Sequence, residues 1–314
     1  MTAMINSFIA PVLNTALKKL SELVKANCER GARTLIFCED RLTLAAERTV
    51  CAAVGGSFTV NVCTFARFLA QQRGKQDGLL TRQGSAMIVR SLIQNNRDRL
   101  TAFKKLYSAT AAQDIYDTIA LLYSSRVTPE DIAAANCPDP VLRAKLEDLA
   151  FLYAEYVRFL EDSGSVDRNR YLALLPEVIT ASPEVRGADV IFLGFQAFTC
   201  SVAECAAACM EAAKNVTGIF IGGAEDVYTN QAPAYFSGVA KAFGGVNTAV
   251  LKSTLRPEAE SIRTHIFDPQ TFHTAAPAPT SAVKLFCGAD EDEEMEYVAA
   301  NIIRYVFEEG VRYR

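Results

Sequence analysis

Thr34–Cys38 (Thr-Leu-Ile-Phe-Cys) is a short apolar run, closed by polar Glu39-Asp40-Arg41 and followed by Leu42–Ala53 with apolar positions at helical spacing. Gly55-Gly56 interrupts the pattern, Phe58–Thr64 alternates as a strand does, and Phe65–Gln72 returns to helical spacing. Strand, helix, strand in this order predicts the start of a parallel α/β layer. From Leu80 to about Leu175 only the helical period is present. Helices are predicted over Thr81–Gln94, Arg97–Tyr107, Ala111–Ser124, Pro129–Ala135 and Asp139–Asp162. Thr128-Pro129-Glu130-Asp131 has the chemistry of a helix start: a capping hydroxyl, proline at the first helical position and acids in the first turn.

Asp167–Leu175 and Pro183–Gly187 lead back to the sheet. Val190–Leu193 is apolar throughout, as expected of a strand buried on both faces, and Gly194-Phe195 ends it. A helix over Ser201–Ala213, a strand at Gly218–Ile221 and a loop plus helix over Tyr228–Gly245 continue the α/β pattern. Asp268–Ser281, rich in Pro, Ala and Thr, reads as a linker. Beyond it a strand at Val283–Cys287 and a helix over Asp290–Glu309 are predicted, and the chain reaches Arg314 without an element that closes a domain. The expected organisation is an α/β domain in two parts, 1–79 and 176–267, split by a helical insertion at 80–175. A linker at 268–281 then leads to the start of a second domain at 282–314, cut off at Arg314.

Composition narrows the function classes. The chain has 314 residues, 50% hydrophobic and 22% charged, with a net charge of −4. This is ordinary for a globular protein and argues against a broad nucleic-acid-coating surface, though not against a local basic groove. No apolar run is long enough to span a bilayer, and Met1–Lys18 lacks the basic stretch and cleavage site of a signal peptide. Nine cysteines include no Cys-x-x-Cys pair. Cys205 and Cys209 fall four apart on a helix with Cys200 nearby, but without a fourth ligand they read as structural thiols. Reduced cysteines point to the cytoplasm.

Two further features have two readings each, and two more carry little or no signal. The acids of Asp290–Glu296 hold a metal or complement a helix dipole, the second being the simpler account. Arg97, Arg99, Lys104 and Lys105 are a phosphate-contacting face or solvated helix charge. Gly222-Gly223 follows a strand, as a phosphate loop does, but no lysine comes after it. His265 and His273 have no visible partner constellation.

An α/β layer split by helices, then a linker into a second domain, is the arrangement of superfamily 1 helicase motor cores. Leu35–Glu47, Val62–Ala70, Lys145–Leu160, Arg186–Thr199 and Leu285–Arg314 resemble, in order, the N-terminal portion of the AddB/RexB family, one of the two components of AddAB helicase–nucleases. The resemblance implies a parallel sheet of a degenerate helicase (P-loop-like) core, a role in resecting double-strand breaks, and an AddA-like helicase partner. It implies a nuclease domain, its Mg²⁺ and an iron–sulfur cluster, all beyond Arg314. No cofactor or catalytic residue is expected within this segment.

Departures from the family pattern carry information as well. Where many members have a Gly-x-x-x-x-Gly-Lys-Ser/Thr loop, this chain has Phe8–Leu17, with no glycine and no lysine before Lys18. Leu193 stands where the family often has an aspartate that would hold Mg²⁺. This segment is therefore expected neither to bind nor to hydrolyse ATP. The resemblance also implies a single-stranded-DNA surface of the kind that reads Chi. Its matching positions are Arg41 and Thr43 after the first strand, Phe65 and Arg67 after the second, and Phe195 and Phe198 after the third. Arg41 replaces a frequent Gln and Ala70 a frequent Trp, so altered or weak sequence preference is expected. Against these roles stand bland ones: the three phenylalanines as core, Thr43 as a helix cap, Arg67 paired with an acid such as Asp40, and Arg41 solvated. The alternative function is a docking scaffold for the partner helicase with little DNA affinity of its own.

Overall fold

The computed structural model describes residues 3–74, 79–106, 108–222, 230–265 and 284–312. In chain order the elements of the first part are β1 (Met4–Ala10), α1 (Leu13–Glu29), β2 (Thr34–Cys38), α2 (Thr43–Val54), β3 (Val60–Cys63) and α3 (Phe65–Arg73). They are followed by β4 (Leu79–Leu80), α4 (Arg82–Asn95), α5 (Ala109–Ser124), α6 (Pro129–Ala134), α7 (Pro140–Ser163) and β5 (Val166–Asp167). Then come α8 (Arg168–Leu172), α9 (Leu175–Ala181), β6 (Asp189–Leu193), α10 (Cys200–Ala212), β7 (Asn215–Ile221), α11 (Ala232–Ala240) and β8 (Asn247–Val250). Two helices follow, α12 (Pro257–His265) and α13 (Glu291–Glu309). The chain divides into two compact units, Met1–Ser253 and Thr254–Arg314.

The first unit is built on a six-stranded sheet of order β3-β2-β6-β7-β1-β8 in which every pairing is parallel. β2 and β6 are buried at every position, as a strand covered on both faces must be. On one face α1 and α2 pack Ala16, Leu20, Val24, Ala46 and Val50 against Ile36, Val62, Ile191, Leu193 and Ile219. On the other, Phe68, Leu69, Ile179, Cys205, Met210 and Phe236 meet Leu35, Phe37, Val190, Phe192, Val216 and Phe220. Helices α4 to α7 have a core of their own around Val89, Ile93, Ile119, Leu152, Tyr156 and Leu160.

The structure corrects several sequence expectations. β1 is absent from them, yet it lies between β7 and β8 inside the sheet; its Ile5, Ser7 and Ile9 alternate inward as a strand requires. β8 is absent as well, because its four exposed residues carry little apolar signal. Arg97–Leu106 is not a helix but a series of turns. The buried Asp148 carboxylate of α7 accepts backbone N–H bonds from Thr101 (3.0 Å), Ala102 (2.8 Å) and Phe103 (2.7 Å), which takes those amides away from any helix. Lys284–Cys287 is not a strand; among the described residues of its unit there is no other strand with which to form a ladder. Val283 and the linker at 268–281 lie outside the described residues, as do His273 and Gly223.

In the second unit, Asp290 caps α13 by accepting the Glu293 N–H at 2.9 Å, and four acids occupy the first turn. Phe286 stacks on Tyr297 with ring centroids 3.9 Å apart.

Candidate nucleic-acid interface

β3, β2 and β6 are neighbours and parallel, so the loops that follow them leave the same carboxyl edge of the sheet. Open α/β sheets place ligands at that edge. After β2, Glu39 leads into a single 3₁₀ turn, Asp40–Leu42, and then α2. After β3, the Thr64 hydroxyl accepts the Arg67 N–H at 3.2 Å and caps α3. After β6, Gly194 takes a φ of +71°, and a Cβ there would come within 2.3 Å of Leu42 Cδ1, so only glycine allows this close passage. Thr199 then caps α10.

The six sequence-predicted residues separate into two groups. Arg41 and Arg67 are exposed and Thr43 half-buried, all at the edge. Arg41 Nε donates to Glu39 Oε2 at 2.7 Å, and the same carboxylate accepts the Gln196 N–H at 3.1 Å, tying the post-β2 loop to the post-β6 loop. The Thr43 hydroxyl donates to the Asp40 carbonyl at 2.8 Å rather than acting as the N-cap of α2, a position held by Leu42. Arg67 Nη1 lies 3.4 Å from Glu47 Oε1, not beside Asp40; Asp40 instead faces Arg168 at 4.0 Å. The phenylalanines point inward. Phe195 is 5% exposed and Phe198 9%, while Phe65 is half-buried. Phe65 packs 4.8 Å from Phe37 and 5.5 Å from Phe195, and Phe198 lies 6.3 Å from Phe236, ring centroid to ring centroid. Phe195 and Phe198 thus hold the edge from beneath, as core, and offer no free face for a base.

Beside the edge, between α3 and the helical layer, opens a cleft of about 830 Å³. Ala66 and Ala70 of α3, Leu79 and Leu80, Tyr116 and Leu172 supply its apolar walls, and Thr81, Gln83, Arg168 and Asn169 its polar groups. A second, smaller cavity of about 130 Å³ shares Asn169 and Leu172 with it and reaches Phe65, Thr199 and Ser201. Arg82 and Asp117 form a two-pronged pair on the wall, with Nε 2.8 Å from Oδ1, and this guanidinium holds the Asp117 carboxyl below its ordinary range. Sequence reading does not single out Gln196, Arg168 or Asn169. The one signal for the last two is Asp167, an N-cap residue whose carboxylate accepts the Arg170 N–H at 2.8 Å and starts α8.

Two places that a nucleotide-driven motor needs for its chemistry are apolar here. The connection from β1 to α1 is only Pro11-Val12, and Pro11 has no N–H to offer a phosphate. Leu193 at the end of β6 is fully buried. Burial pushes the Cys38 and Cys63 thiols at the strand ends up to about 12, so neither is a thiolate at neutral pH. Burial does the same to Cys205, up to about 12, and holds the Cys209 thiol well above its ordinary value. Among the described residues no group of three His, Cys, Asp or Glu side chains is arranged to hold a metal ion, and no helix is long and apolar enough to cross a membrane.

The family profile described as "ADDB, N-terminal" matches residues 15–270. Among similar proteins is the B subunit of the ATP-dependent helicase/deoxyribonuclease of Moorella thermoacetica, 29% identical over 201 residues that cover 60% of this chain and 17% of that protein. The protein of the same name from Desulfitobacterium hafniense is 24% identical over 290 residues, 83% of this chain and 24% of its own length. That of Bacillus pumilus is 26% identical over 184 residues, 54% of this chain and 16% of its own. The chain therefore spans a quarter or less of the length of these relatives. With the family profile covering most of its residues, the chain belongs to the AddB N-terminal family.

Proposed function

We propose that this segment is a non-hydrolysing, helicase-like module of an AddB-type helicase–nuclease component, which guides single-stranded DNA across the carboxyl edge of its sheet. The observation that carries the reading is the convergence of three post-strand loops on one edge, with Arg41, Arg67 and Arg168 exposed there. The two-residue β1–α1 connection and the buried Leu193 support a core that has kept the sheet and lost the nucleotide chemistry. In this reading an AddA-like partner supplies the motor, the assembly works in the cytoplasm on double-strand breaks, and any Mg²⁺ or iron–sulfur cluster belongs to other parts of the protein. Chi-type reading rests on Arg41, Thr43 and Arg67, with Phe65 the least buried of the three phenylalanines; Phe195 and Phe198 serve as its support.

A specific observation favours a second reading. Each edge arginine faces a carboxylate: Arg41 with Glu39, Arg67 with Glu47 and Arg168 with Asp40. Neutralised cations release few counterions on binding a phosphate chain. A docking scaffold, with DNA held only in the assembled complex, follows from that.

Fluorescence anisotropy of a labelled single-stranded oligonucleotide, at two salt concentrations, separates the two. Salt-sensitive binding that weakens in Arg67→Ala is the expected result. Absence of binding at low salt moves the assignment to the scaffold.

A further inference from the structure

The edge arginines are paired, whereas four cations at the far end of the helical layer differ from them. Arg99, Lys104, Lys105 and Lys145 are all exposed, and among the described residues none has a carboxylate within ion-pairing distance. They share one small structure. Arg99, Lys104 and Lys105 lie in the 97–106 turns, and the buried Asp148 of α7 fixes those turns by accepting three successive amides. Lys145 lies three residues before Asp148 on the same helix, and Phe151, three residues after it, carries the Arg99 guanidinium 4.4 Å above its ring. Asp98 and Glu147 are the exposed acids of the same stretch, leaving an excess of positive charge; the Asp148 charge is spent on the amides.

We infer that this basic turn is a second phosphate-contacting surface, which engages a strand after it has left the carboxyl edge. The inference rests on the single-stranded-DNA reading above. α4 starts at the cleft with Arg82 and runs for 14 residues away from it, so the turn lies about 21 Å from the cleft. Covering that distance takes several nucleotides beyond those seated at the edge. Short strands therefore reach the edge alone, and longer ones reach both surfaces. The anchored turn holds its lysines on a rigid base, so their contacts are with phosphates, set by position rather than by base identity.

The test measures binding of labelled single strands of about 4 and about 25 nucleotides over a range of salt, to wild type, Lys104→Ala/Lys105→Ala and Lys104→Arg/Lys105→Arg. For the long strand the alanine pair is expected to bind several-fold more weakly. Its log–log salt slope should fall by about 1.4, at about 0.7 per lost phosphate contact. The short strand should be unaffected and the arginine pair should bind as wild type. Unchanged long-strand binding in the alanine pair, with Arg67→Ala still weakening both strands, would overturn the basic turn and leave the edge reading intact. Competition by polyglutamate as effective as the long strand itself would assign the turn to an acidic protein instead. No binding of either strand by wild type at low salt removes the edge reading, and this inference with it.

Discussion

Asp148 accepts hydrogen bonds from Thr101, Ala102 and Phe103 while only 4% exposed, so backbone dipoles face its charge. An amide at that position has one acceptor oxygen in place of two and turns an NH₂ towards N–H donors. Asp148→Asn is expected to lower unfolding free energy by about 2–3 kcal/mol, read from urea denaturation. An unchanged midpoint would mean the turns are held by something else. The same residue explains why the 97–106 segment departs from its sequence expectation. Its spacing of apolar positions is helical, but a carboxylate more than forty residues away competes for its amides, and a local pattern carries no record of that. Phe195 and Phe198 show the converse. Their place after a strand is legible; their direction is set by Phe65, Phe192 and Phe236, which come from other elements or from the strand before them.

The start of α4 is fastened to α5 by Arg82 and Asp117. Because this pairing holds the Asp117 carboxyl below its unfolded value, the pair stabilises the fold above the ordinary carboxylate range, about pH 4. That contribution is lost as pH falls through the lower folded value. Arg82→Gln should therefore be less stable than wild type near neutrality, with the gap narrowing below about pH 4. Parallel thermal melts across that range would check it, and a gap independent of pH would count against the pair. At this scale much is legible. β2 matches its expectation to the residue, and α7 begins and ends within one residue of its own, because a fully apolar run and a capped amphipathic helix state their own limits. β4 and β5 are not legible, since two-residue strands exist only through each other.

Asp189 opens β6 and joins three strands and a helix at the amino edge of the sheet. It is 6% exposed, faces Arg30 of the α1 terminus at 3.2 Å and accepts a hydrogen bond from Asn215 at the head of β7, while Asn27 of α1 donates to Thr34 at the head of β2 at 3.0 Å. Arg30 is half exposed, so the ion pair contributes little; the cost of Asp189→Ala lies in the partners left without an acceptor, about 1–3 kcal/mol. Chemical denaturation should show the loss with an unchanged dependence on denaturant. A change in that dependence would mean the sheet itself had come apart.

Across the whole chain, the sequence by itself determined that there is a parallel α/β layer split by helices. It also determined that Phe8–Leu17 lacks a phosphate loop's glycines and lysine and that an apolar Leu193 ends its strand, because missing chemistry is written locally. Tertiary structure alone decided the strand order. β6 and β7 enter the gap between β2 and β1 after more than a hundred intervening residues, and that placement is what brings the loops after β3, β2 and β6 side by side. It also decided that the edge arginines are paired and that, among the described residues, the lysines of the far turn have no carboxylate within ion-pairing distance. Both facts depend on which distant carboxylate arrives beside each cation, and Coulomb attraction acts on distance in space, not on separation along the chain.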